Sequence, residues 1–82
     1  MMHLINFQPN RSIFVGDLSY FCQEEHLISF FQQVGPVTRA KIARGVTGKP
    51  LHYAFVEFLT PEAAKRSYAE LNGQEFMARF VR

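Results

Sequence analysis

An 82-residue chain with 48% hydrophobic and 20% charged residues reads as one small globular domain and not as a disordered chain. Its single cysteine, Cys22, excludes an internal disulfide framework and weakly favours a reducing compartment, and no apolar run reaches the roughly 18 residues of a membrane-crossing helix. A net charge of +2 with a pI near 9.0 admits nucleic acid without requiring it. Nine Phe and three Tyr are more rings than a core of this size needs, so some are spare.

Taken in order, residues 1–10 end in Gln8-Pro9-Asn10 and read as a lead-in to a domain over 11–82. The start lacks the basic region and small-residue cleavage site of a signal peptide. Ser12 to Asp17 reads as a first strand, with Ile13 and Val15 on one face and Phe14 on the other. A helix follows over roughly Gln23 to Val34, its buried stripe being Leu27, Phe30, Phe31 and Val34 at i, i+3, i+4 and i+7. Glu24 and Glu25 suit its first turn, although neither Cys22 nor Gln23 is a good cap, and Gly35-Pro36 stops it. His26 is expected to be exposed on this helix.

Val37 to Ala43 reads as the second strand, Ala40 and Ile42 inward and Arg39, Lys41 and Ala43 outward. A basic loop from Arg44 to Pro50, holding Lys49, leads into the third strand, Leu51 to Phe58. There Ala54, Val56 and Phe58 face the core while Tyr53, Phe55 and Glu57 share the other face. Thr60-Pro61-Glu62 is a strong helix start, and the second helix is expected to bury Ala64, Ser67, Tyr68 and Leu71 before Asn72-Gly73 ends it. Phe76 to Val81 reads as the last strand, with Val81 inward and Phe80 and Arg82 outward.

The order β-α-β-β-α-β predicts an α+β, ferredoxin-like sandwich: a four-stranded antiparallel sheet with two helices on one face. Nothing in the chain is left over to cover the second sheet face. With the first and third strands as central neighbours, Phe14 lies beside Tyr53 and Phe55, a platform for stacking unpaired bases. Lys41, Arg39, Arg44, Lys49 and Arg82 stand around it to meet phosphates, and Glu57 and Phe80 complete the candidate face for a single-stranded nucleic acid.

The sequence resembles the RNA recognition motif family over residues 12–82. Ile13-Phe14-Val15-Gly16-Asp17-Leu18 is similar to the family's six-residue ribonucleoprotein motif, and Leu51 to Phe58 to its eight-residue one, with Tyr53-Ala54-Phe55-Val56-Glu57-Phe58 matching in full. Leu71-Asn72-Gly73 is also typical. The resemblance implies that Phe14 and Tyr53 each stack a base while Phe55 packs between neighbouring sugars. It departs at Leu51, where the family has Lys or Arg, and at His52, where it has Gly; Lys49 partly replaces the lost charge. The sequence stops at Arg82, before the segment that in relatives follows the fourth strand and often adds RNA contacts, and does not itself tell a fragment from a whole protein.

The function expected is a single-stranded RNA-binding module in RNA processing or metabolism, with splicing among the processes it would serve. The alternative is a protein-interaction module using the sheet face or the helical face. Relatives of the second kind bind a peptide tryptophan through an Arg-x-Phe motif and acids in the first helix; Glu24, Glu25 and Phe76 fit, while Gln74 stands where the Arg belongs. The three histidines and Cys22 lack metal-ligand spacing and no nucleophile-base-acid set appears, so neither cofactor, metal nor catalysis is expected. Partners are expected to be single-stranded RNA and proteins of a ribonucleoprotein complex, with no membrane. The isolated domain is expected to be a monomer inside the cell, the nucleus preferred over the cytoplasm.

Overall fold

Alternating burial along three strands decides which face of the molecule is core and which is left for function. The computed structural model of the chain describes residues 7–77 and 79–80. Strand β1 (Ser12–Val15) and β2 (Val37–Arg44) pair antiparallel on either side of β3 (Pro50–Phe58), giving the order β1-β3-β2. The register sets Phe14 opposite Phe55 and Val15 opposite Ala54, with Lys41 and Ile42 opposite the same two β3 residues from the other side. Val15, Ile42, Ala54, Val56 and Phe58 are buried, as their parity requires.

Helix α1 (Glu24–Phe31) and helix α2 (Pro61–Leu71) supply Leu27, Phe31, Ala63, Ala64 and Leu71 to that core. Helix α1 ends three residues sooner than the periodicity predicts, tightening into a 3-10 turn over Gln32–Val34 that still buries Val34. Its start has the cap that the sequence seemed to lack. His26 Nδ1 accepts the backbone N–H of Gln23 at 3.0 Å, so this ring is half-buried instead of fully exposed. At the other end Gly35 is required by space: a Cβ there would lie 2.8 Å from the Cβ of Ala63 in α2. The Thr60 hydroxyl caps α2 by accepting from Ala63 N–H at 3.2 Å, and Pro61 takes the first helical position.

Two expectations are corrected. Tyr68 is 71% exposed, because α2 approaches the sheet on the small residues Ala63, Ala64 and Ser67, whose close contact turns the tyrosine outward. The closing segment is not one strand over 76–81: β4 (Glu75–Phe76) pairs antiparallel with β5 (Arg79–Phe80) in a two-stranded ladder of its own. Phe76 is drawn down onto Phe30, ring centroids 4.6 Å apart, and Met77 reverses the chain with a φ of 52°. Val81 and Arg82 fall outside the described residues. The layers are nevertheless those of the ferredoxin-like sandwich, with both helices on one sheet face.

Candidate nucleic-acid interface

Period-two alternation sends Phe14 from β1 and Tyr53 and Phe55 from β3 to the face that the helices do not cover. All three remain exposed, Phe14 at 57% and the others between 36% and 39%. Phe14 and Tyr53 lie 5.5 Å apart at 30°, the pair nearest to coplanar, while Phe55 stands edge-on to both at 5.8 and 6.2 Å. Three mutually touching rings that water still reaches leave apolar surface for a flat ligand to cover. Lys41, directly opposite Phe55, is exposed and has no ion-pair partner among the described residues.

Two residues further along the same face the environment changes. Glu57 is only 4% exposed, because the lead-in crosses the sheet here. Its carboxylate accepts from the Thr38 hydroxyl at 2.6 Å and from the Gln8 backbone N–H at 2.8 Å, and it pairs with Arg39 at 3.4 Å. The Thr38 and Gln8 hydrogen bonds, with burial opposing and Arg39 assisting, hold this carboxyl down to about 2. Glu57 was expected on an open face touching ligand or water; the structure places it under protein, with its lone pairs taken. The second sheet face, expected to be left uncovered, is covered at this end by the lead-in.

Arg39 belongs to that closed end too. Besides Glu57, its guanidinium sits 4.4 Å above the ring of Phe7, a cation–π contact. Phe7 in turn lies 6.1 Å from Phe55, tilted by 43°, and lines with Lys41, Ala43, Arg44 and Phe55 a cavity of about 420 Å³. Arg44 is tied to Glu24 at 3.4 Å. That acid also accepts from the Ile42 N–H at 3.1 Å. Burial works to raise the Glu24 carboxyl, but its backbone hydrogen bonds and the Arg44 and Lys41 charges bring it below the usual range. Lys49 is exposed in the β2–β3 loop, whose turn places Gly48 at a φ of 83°. Arg82 lies outside the described residues, and of Phe80 only the backbone pairing with Glu75 is described.

Sequence reasoning left the placement of Phe7 open and missed Thr38 and the use of His52. The signal for the first two was Glu57 itself, an acid in a row of rings that needs donors from somewhere. His52 replaces the family's glycine with a tether: its Nδ1–H donates to the Leu18 carbonyl at 2.9 Å while the His52 carbonyl accepts from Leu18 N–H at 3.0 Å. The β1–α1 loop is thereby held to β3. Burial pushes the Cys22 thiol up to about 11, so it stays protonated. Among the described residues no group of three or more His, Cys, Asp or Glu is gathered for a metal ion, and no helix is long and apolar enough to cross a membrane.

A helix-backed sheet that exposes three rings with Lys41 alongside them offers a surface suited to flat, anionic ligands. The family is settled by comparison: the RNA recognition motif model matches residues 13–82, and the chain belongs to that family. It is 44% identical over 64 residues to polyadenylate-binding protein 5 of Arabidopsis thaliana, covering 78% of this chain and 9% of that protein. It is 41% identical over 73 residues to cleavage stimulation factor subunit 2 of Homo sapiens, covering 88% of this chain and 13% of that one. The chain therefore spans only a small part of the curated relatives it matches. Among solved structures it resembles RNA binding protein PG1, with a TM-score of 0.82, 37% identity and 88% of each chain covered. The Rna15 RNA recognition motif with bound RNA (GU) aligns with a TM-score of 0.77 and 32% identity, covering 90% of this chain and 80% of that one.

Proposed function

We propose that this domain binds single-stranded RNA on the β1-β3-β2 sheet, stacking unpaired bases on Phe14, Tyr53 and Phe55 and meeting phosphate with Lys41, and that it serves RNA processing. The observation that carries the reading is the exposed ring platform opposite Lys41. Bases stack on such rings at roughly 1–3 kcal/mol each, which a paired duplex forbids. The relatives support it: they include a polyadenylate-binding protein, a cleavage stimulation factor subunit, and a structure of the same fold carrying RNA. Lys49 and Arg44 act as supporting cations, Arg44 less so because Glu24 offsets its charge. The domain works by binding alone, inside the cell, with the nucleus as the compartment proposed.

Docking of a peptide tryptophan on the helical face is disfavoured. Glu24 is spent on Ile42 and Arg44, the Phe76 ring is stacked against Phe30, and Gln74 donates to the Glu70 carbonyl at 2.7 Å. The test is binding of a random-sequence single-stranded RNA pool to the wild type and to Phe55→Ala at low and high salt. The reading expects saturable binding that Phe55→Ala weakens at both salts. Wild-type protein that fails to bind at millimolar RNA would overturn it.

A further inference from the structure

We propose that the lead-in residue Phe7 builds an additional base pocket beside the ring platform, in which one further unpaired nucleobase lies against Phe7 and Phe55 while its phosphate meets Lys41 and Arg44. The inference rests on the RNA-binding reading and extends it to a part of the chain that the family match, which begins at residue 13, does not include. The cavity between these side chains measures about 420 Å³, inside the roughly 300–1,000 Å³ range of small-ligand sites. Two rings and the Ala43 methyl form apolar walls, and two cations stand at the rim. That is the chemistry of a nucleotide: a flat apolar body joined to an anion. Lys41 makes no ion pair among the described residues, and although its charge and that of Arg44 both act on Glu24, two cations against one carboxylate leave the rim positive.

The Phe7 wall is held by contacts within the chain. Phe7 and Phe55 touch, with centroids 6.1 Å apart and planes tilted by 43°, and both line the cavity without stacking face to face. Phe7 is pinned from both sides. The Arg39 guanidinium lies 4.4 Å from its ring centre, and the next residue, Gln8, donates its N–H to the buried Glu57 carboxylate at 2.8 Å. The Pro9–Arg11 turn follows, and the Arg11 guanidinium reaches the Leu59 carbonyl at 3.3 Å. A ring fixed by this many contacts loses little freedom when a base settles on it, which favours affinity. The platform thus gains a fourth ring, and the path of the RNA extends from Phe14 across Phe55 to the lead-in.

The experiment measures binding of a random-sequence eight-nucleotide RNA pool to wild type, Phe7→Ala, Phe7→Leu and Phe14→Ala. The same pool, substituted with 4-thiouridine, is photo-crosslinked to the wild type and the adducts are mapped by mass spectrometry. The proposal expects Phe7→Ala and Phe7→Leu to weaken binding about tenfold, as for loss of one stacked base, and a crosslink on Phe7 itself. Phe7→Leu keeps apolar cover over Phe55, so a loss in Phe7→Ala with none in Phe7→Leu would reduce Phe7 to packing and overturn the pocket. Unchanged or tighter binding by Phe7→Ala, with Phe14→Ala impaired, would overturn it also and leave the RNA reading standing. Absence of binding by the wild type would instead overturn the RNA reading and carry the pocket with it.

Discussion

The outward face of β3 holds two neighbourhoods on one strand and with one parity. Around Tyr53 and Phe55 the rings meet solvent and Lys41 lies alongside without an ion-pair partner among the described residues. Around Glu57 the lead-in has come down: Gln8, Thr38 and Arg39 take up the carboxylate, and the position is buried. An alternating pattern therefore assigns a face but not what covers it. The open end has surface to offer a ligand, whereas the closed end has had its polar groups satisfied from within and works as a fastening for the segment that carries Phe7.

Substitutions separate the two ends by what each one changes. Phe14→Ala or Phe55→Ala should cost RNA binding by roughly 1–3 kcal/mol at both low and high salt, measured by fluorescence anisotropy, with the fold intact by circular dichroism. Glu57→Gln should act in the opposite order, lowering stability by about 1–2 kcal/mol in urea unfolding and weakening RNA less than Phe55→Ala does. Acid should sharpen the contrast. The Glu57 carboxyl sits at about 2 in the fold against an ordinary 4.5, so its contribution is complete above pH 4.5 and is lost as pH falls toward 2. A denaturation series across that window should show a steeper acid loss for wild type than for Glu57→Gln. Lys41→Ala is the smallest change expected: it should flatten the salt dependence of RNA binding by about 0.7 in the log–log slope, as for one phosphate contact on a single strand.

The sequence made the platform legible because a strand's period puts Tyr53 and Phe55 on one face, and the order of elements sets the strand carrying Phe14 beside them. The buried stripe of the first helix, the Thr60 cap and the Gly73 turn were equally readable, each being set by local chemistry, whereas the ends of that helix were not. What escaped was set by contacts distant in the chain. Glu57 and Gln8 are 49 residues apart, and no local pattern announces that the second will bury the first. Tyr68 matched a helical stripe, but the helix turns Ala63, Ala64, Ser67 and Leu71 to the core and leaves the tyrosine exposed. The closing segment alternated well enough for one strand, and only the packing of Phe76 on Phe30 with the reversal at Met77 divides it into β4 and β5.

The measurement that bears most directly on the account is an amide chemical-shift titration of the isotope-labelled domain with a random single-stranded RNA pool. The account predicts saturable shifts concentrated on Phe14, Lys41, Tyr53 and Phe55, with the exposed helical face around Tyr68 and Glu70 unmoved. Shifts confined to the helical face, or none at millimolar RNA, would contradict it.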